Sequence, residues 1–303
     1  MVSSGRFLSN LWWVGILSAC IWGITAHVQG ATTTQTTETL GSKTSQISSP
    51  IEATGYLDQR PSWIPKTGGF TTENTLEVGA KLSPDTSVTY MQGFLTNLYD
   101  PMGLAENQGM RFQMDAGALR FKIKNIWKNE ANGLALAYEN RVYLPVDSGS
   151  QSKGLITSVR NYLKLSKTFS DRFKMTLSDA VITFISSRAG NISSNGLATA
   201  NSTFENRIYL MADIQLTQKL SLSIPLMFHQ TRTANYRADA SNNAAWSFLV
   251  WTSPELDYAV NDHLTLGLSY YNNESFFSSN LSKAQFGQAF ESGEIQLVLT
   301  ASL

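Results

Sequence analysis

Lys219 to His229, KLSLSIPLMFH, places Leu220, Leu222, Ile224, Leu226 and Phe228 on one side and Ser221, Ser223, Pro225, Met227 and His229 on the other. Side chains of an extended chain point to opposite faces at each step, so this segment has one apolar wall and one mostly polar wall. Thr203 to Gln215 repeats the arrangement, with Phe204, Ile208, Leu210, Ala212 and Ile214 against Glu205, Arg207, Tyr209, Asp213 and Gln215. Full charges on the second wall suit a wet interior better than a packed core. A fold built from such segments must offer apolar surroundings to one face and water or polar partners to the other.

The same pattern runs through most of the chain. Strands are expected near 52–60, 71–82, 86–96, 109–124, 133–144, 156–167, 172–184, 203–216, 219–229, 245–259, 263–273 and 292–303. Short polar turns, such as Ser83-Pro84-Asp85, Thr217-Gln218 and Asn261-Asp262, alternate with long polar loops at 97–108, 145–155, 185–202, 230–244 and 274–291. That alternation is the habit of a membrane barrel, with short turns at one rim and long loops at the other. Parity requires an upward strand before 71–82, which only Ile51 to Arg60 can supply, and the total becomes about twelve; ten or fourteen also satisfy an even count. Met110 to Lys124 changes phase midway, its apolar residues lying at Phe112, Met114 and Ala116 and then at Leu119, Phe121 and Ile123, which calls for a β-bulge. Trp127, Tyr143, Tyr209, Trp251, Tyr258, Tyr270 and Tyr271 fall near strand ends, where aromatic girdles are expected.

The N-terminus reads as an export signal over residues 1–30: Arg6 as its only charge, an apolar stretch from Leu11 to Ile24, then small residues. Cleavage after Ala26 or Gly30 fits, and so does lipidation at Cys20 within Leu17-Ser18-Ala19-Cys20. Residues 31–50, rich in threonine and serine, have almost nothing to bury and read as a disordered periplasmic lead-in. The expected barrel occupies 51–303. No later apolar run approaches the ~20 residues of a membrane helix, so any spanning falls to strands. With 23 basic and 23 acidic residues, no global field favours nucleic acid.

The last segment, Gly293 to Leu303, resembles the C-terminal β-signal of Gram-negative outer-membrane barrels, with apolar Ile295, Leu297, Leu299, Ala301 and Leu303 at alternate positions. Leu303 stands where that signal usually ends in phenylalanine or tryptophan. The resemblance covers an architecture, from about residue 51 onward, and implies an all-β transmembrane antiparallel barrel in the outer membrane. It also implies outer-membrane lipid and the barrel assembly machinery as partners.

If the alternation holds, Glu77, Lys81, Arg111, Glu139, Arg141, Arg160, Lys164, Glu205, Arg207 and Asp213 point inward, with Glu73, Lys174, Glu255 and Asp257 beside them. Charges of both signs on an inner wall can filter by charge and size, or pair to fill a narrow interior. The favoured expectation is passive passage of ions or small polar solutes, without cofactor or metal. The alternatives are a plugged structural or adhesive barrel, or a barrel hydrolase using His229. Outer-membrane phospholipases place a serine two residues after the histidine; here Thr231 stands there, with Asn235 and Asn242 following. Oligomeric state and solute leave no mark in the sequence.

Overall fold

The computed structural model describes residues 52–65, 69–99, 112–192, 198–234, 246–272, 275–278 and 281–302. The expected leader, Cys20, the threonine-rich stretch and Arg111 lie outside these. The strands are β1 (Glu52–Ile64), β2 (Gly69–Lys81), β3 (Thr86–Tyr99), β4 (Phe112–Asn129), β5 (Leu134–Leu144), β6 (Leu155–Ser170) and β7 (Phe173–Ser186). A small hairpin, β8 (Gly190–Ile192) with β9 (Ala198–Ala200), precedes β10 (Ser202–Gln215), β11 (Leu220–Thr233), β12 (Trp246–Thr252), β13 (Glu255–Asn261), β14 (Leu264–Tyr271) and β15 (Glu294–Ser302). Two short helices, α1 (Ser148–Ser152) and α2 (Phe286–Glu291), sit in the connections.

Apart from β8–β9, the strands form one antiparallel ring. It runs β1 to β7, then β10 and β11, then β12 and β13 sharing one position, then β14 and β15, which returns to β1. That is a closed barrel of twelve positions, with β12 as the additional strand. Closure leaves no edge of unpaired backbone groups, which hydrocarbon would not tolerate.

The two faces are the inverse of a soluble protein. On β7, Thr176 and Ser178 are each 6% exposed and Ala180 and Ile182 fully buried, whereas Leu177 and Ile185 are 48% and 47% exposed. Leu76, Val78, Leu119, Leu165, Ile208, Leu210, Leu226, Leu266, Leu268 and Leu297 extend the exposed apolar band around the outside. Polar Ser62, Glu77, Glu139, Ser158, Glu205, His229, Ser269 and Gln296 are buried inside.

The phase change in β4 is a bulge. Gln92 pairs with Gly117 and Phe94 with Met114, so Asp115 and Ala116 together oppose Gly93. A Cβ on Gly93 would lie 3.0 Å from that of Asp115, which explains the glycine there. The bulge moves the outward set from Phe112 and Met114 to Leu119 and turns Arg120, Lys122 and Lys124 inward.

Three features differ from the expectations. The strand expected over 245–259 is broken at Ser253-Pro254, so that β11 pairs with β13 through Leu220–Ser223 and with β12 through Leu226–Arg232. Pro225 stands at the same gap, and two residues without N–H groups explain why the ladder is interrupted there. The open side of β12 is completed by the segment after β14: the Thr252 N–H donates to Asn272 Oδ1 (2.8 Å) and the Phe276 N–H to the Val250 carbonyl (2.8 Å). β1 continues through Arg60 to Ile64, which leaves only residues 65–68 between β1 and β2. Finally, the segment expected as a long polar loop over 274–291 carries helix α2 from Phe286, and Leu281 within it lies in a turn with φ 60°. Phe286 and Phe290 pack on Phe276, and the outward Tyr270 hydroxyl donates to the Phe290 carbonyl (2.7 Å), so this helix sits on the outer rim.

Candidate functional site

The inward face carries the charge. Register places Arg120, Arg141 and Arg160 directly opposite one another on β4, β5 and β6. Like charges so placed repel, and each guanidinium is met by a different device. Arg120 Nη1 reaches Glu77 Oε1 at 3.0 Å, Nη2 contacts the other oxygen, and Nε donates to Thr89 Oγ1 at 3.0 Å. Arg141 pairs with Glu139, which also receives Lys164 Nζ at 2.9 Å. Arg160 has no ion pair among the described residues; its guanidinium lies 3.7 Å from the centre of the Tyr143 ring, and its Nε is buried without a hydrogen-bond partner. Arg141 and Lys164 also lie over Tyr162, at 4.9 and 5.5 Å. Lys122, opposite Glu139 in the ladder, adds a further cation.

A second cluster lies on β10 and β11. Glu205 accepts from Arg207 Nη2 (2.6 Å) and Nε (3.1 Å) and contacts His229 Nε2 at 3.1 Å. Thr231 Oγ1 lies 2.9 Å from the same His229 nitrogen, and Trp251 packs edge-on to the imidazole. His229 Nδ1 is buried and has no partner among the described residues. A hydrolytic relay needs the acid on one ring nitrogen and the nucleophile on the other. Here carboxylate and hydroxyl share Nε2, so the relay geometry is absent. Asn235 and Asn242 lie outside the described residues.

The third group is acidic. Asp58 and Glu255 flank Arg60, whose Nε is 3.1 Å from Asp58 and whose Nη1 is 2.8 Å from Glu255. That contact spans from β1 past β15 and β14 to β13. Asp257 and Glu73 have no ion pair among the described residues, and Asp257 Oδ1 is buried without a hydrogen bond. In the ring of twelve, β13, β14 and β15 stand across from β4, β5 and β6, so the basic arc of β4–β6 directly faces β13 of the acidic group, with β1 and β2 further round the wall. A cavity of about 370 Å³ at the short-turn end is lined by Tyr56, Glu77, Lys81, Arg120, Lys122 and Lys124, among others.

Of the residues expected inside, Glu77, Glu139, Arg141, Arg160, Lys164, Glu205 and Arg207 gather in these clusters. Asp213 is inward on β10 and accepts from Ser223 Oγ at 3.0 Å. Lys81 is at the turn rim, paired with Glu52 at 2.6 Å. The sequence reading omitted Arg120, Lys122, Asp58 and Arg60. The phase change already placed Arg120 and Lys122 on the polar face, whereas the weak patterning of β1 gave little hint of Asp58 and Arg60. Four of the girdle candidates are not at the lipid boundary: Tyr143, Tyr209, Trp251 and Tyr271 share the inward faces of their strands. Trp127, Tyr258 and Tyr270 are on the outer face, with Trp63 as an addition.

No family model matches the sequence, and no curated protein matches it either. Among solved structures, an outer membrane channel from Pseudomonas putida F1 matches with TM-score 0.54 at 11% identity, over 84% of this chain and 96% of that one. The NanC porin matches with TM-score 0.49 at 10% identity, over 82% and 98%. OmpF of Salmonella typhi, in complex with daunomycin, gives 0.40 at 7% identity, over 84% and 97%. Only the first of these bears on the argument, and at that identity it speaks to fold. Together with the closed ring and its inverted faces, it shows that this chain has the porin-like architecture of an outer-membrane channel barrel.

Proposed function

We propose that the protein is a passive outer-membrane channel for ions or small polar solutes, filtering by charge and size and needing neither cofactor nor covalent chemistry. The observation that carries this reading is the interior charge left after local pairing: Lys122 and Arg160 on β4 and β6, Glu73 and Asp257 on β2 and β13, none of them with an ion pair among the described residues. A structural filling would pair charges locally and leave little over. Here these four charges stay unpaired among the described residues, so a transverse field crosses any path between the two sides. On this reading, residues 1–30 direct export, 31–50 form a periplasmic lead-in, and the long loops face outward from a Gram-negative cell. Outer-membrane lipid surrounds the barrel, which the assembly machinery inserts.

Single-channel recording of the purified protein in a planar bilayer tests this. Discrete conductance steps are expected, with a permeability ratio that shifts toward cations in Arg160→Glu and Lys164→Glu. A folded, inserted barrel that never conducts would end the channel reading. The shared use of His229 Nε2 argues against the hydrolase alternative.

A further inference from the structure

The outer wall carries a connected polar patch on β5, β6, β7 and β10. Tyr138 and Asn140 on β5, Asn161 on β6, Asp179 on β7 and Asn206 on β10 all belong to outward faces, since each shares its strand parity with an exposed apolar residue: Leu144, Leu165, Leu177 and Ile208 respectively by strand. They are not confined to a rim. Asp179 lies between Leu177 and Val181 along the outward row of β7, and its ladder neighbours are Leu163 and Ile208.

These side chains are joined by hydrogen bonds. Asn161 Oδ1 accepts from the Tyr138 hydroxyl (2.7 Å) and from the Asn140 amide (2.9 Å), and Asp179 Oδ1 accepts from the Asn206 amide (2.6 Å). Two functions are left over. The Asn161 amide nitrogen makes no hydrogen bond among the described residues, and one bond from Asn206 is all that holds the Asp179 carboxylate there. Two other outward amides are met by backbone: Asn74 donates to the Thr72 and Phe94 carbonyls (3.2 and 3.3 Å), and Gln92 to the Gly93 and Asp115 carbonyls at the bulge (2.8 and 2.7 Å). A carboxylate and a free amide donor facing hydrocarbon are both costly, and lipid chains satisfy neither.

We propose that this patch on β5–β10 is the docking surface for a second copy of the chain. The left-over groups are complementary to each other, a donor on Asn161 and an acceptor on Asp179. They sit on adjacent strands two residues apart along the ladder, with Asn161 opposite Val181 and Asp179 opposite Leu163. A two-fold axis passing between them sets each Asn161 amide against the partner copy's carboxylate, the reciprocal pattern of an isologous interface. The apolar residues around the patch then close over it and exclude lipid from the polar centre. The inference is independent of whether the interior conducts.

The test is the mass of the full-length protein in detergent and in lipid nanodiscs, wild type against the double variant Asn161→Leu, Asp179→Leu. A wild-type dimer is expected, with the apparent mass halved in the variant. Strand content by circular dichroism, unchanged in the variant, separates loss of pairing from loss of folding. As a second measurement, Val181→Cys in a Cys20→Ser background forms an intermolecular disulfide under mild oxidation, whereas Leu268→Cys on β14 does not. A wild-type monomer in both environments overturns the proposal, as does a double variant that stays dimeric. Co-purification and cross-linking of Val181→Cys with a different protein in place of a second copy overturns the choice of partner.

Discussion

The basic arc on β4–β6 and the acidic arc on β13, β1 and β2 both hold charge inside the barrel, but they hold it differently. On the basic side, two buried carboxylates do most of the work. Glu77 takes Arg120, and Glu139 takes Arg141 and Lys164 together. Tyrosine rings carry the rest, Tyr143 under Arg160 and Tyr162 under Arg141. On the acidic side, Arg60 serves both Asp58 and Glu255, and Asp257 is left without an ion pair among the described residues. Structural need and uncompensated charge therefore coincide at different residues: Glu139 and Arg60 hold the arcs together, while Arg160 and Asp257 supply the field between them.

The largest expected effect follows from Glu139, whose side chain is 3% exposed and shared by two cations. Glu139→Gln should cost about 3 kcal/mol, because it strands two partly buried cations without a counter-charge; urea unfolding of the refolded barrel in vesicles measures this. The matching change on the other arc, Asp257→Asn, should leave stability unchanged or raise it by up to about 1 kcal/mol, since it removes a carboxylate with an unanswered oxygen. Equal losses from the two would abolish the distinction between the arcs. Next in size, Arg60→Ala should free two carboxylates and move the permeability ratio toward cations. One unit charge near the path is worth about 1 kcal/mol in water-like surroundings, or about fivefold in that ratio, read from the reversal potential in a salt gradient. Smallest is the response of the wild type to salt. Between 0.1 and 1 M the screening length falls from about 10 to about 3 Å, so selectivity should flatten toward the bulk mobility ratio.

Much of this molecule could be read from alternation alone. Strand parity put Glu139, Arg141, Arg160, Lys164, Glu205 and Arg207 on the inner wall because a period of two leaves no freedom once the outer face is known. The bulge in β4 was legible for the same reason. What alternation does not contain is which charges meet. Arg60 reaching Glu255 depends on ring order, and the shared His229 nitrogen depends on side-chain rotamers. The aromatic residues mislead in a specific way: Tyr143 and Tyr271 sit near strand ends, as girdle residues do, but their parity already turned them inward. At Pro254 the composition carried the signal, because a strand that lacks an N–H must lose a ladder bond. At the polar patch the outward position of Asn161 and Asp179 was readable, whereas their bonding to Tyr138, Asn140 and Asn206 follows only from adjacency of β5, β6, β7 and β10.

The seam of the ring joins β1 to β15, with Tyr56 opposite Ser302. Every other neighbour in the ring is close in the chain, so each hairpin can assemble from residues already at hand. The seam alone brings together segments separated by nearly the whole sequence, and its loop-closure entropy is met only when the rest of the wall holds the two edges side by side. The entropic cost of closing the ring is therefore concentrated in this one ladder. A proteolytic cut in an outer loop spares every ladder, whereas loss of β15 exposes two edges at once and turns a sealed ring into an open sheet prone to pairing with its neighbours.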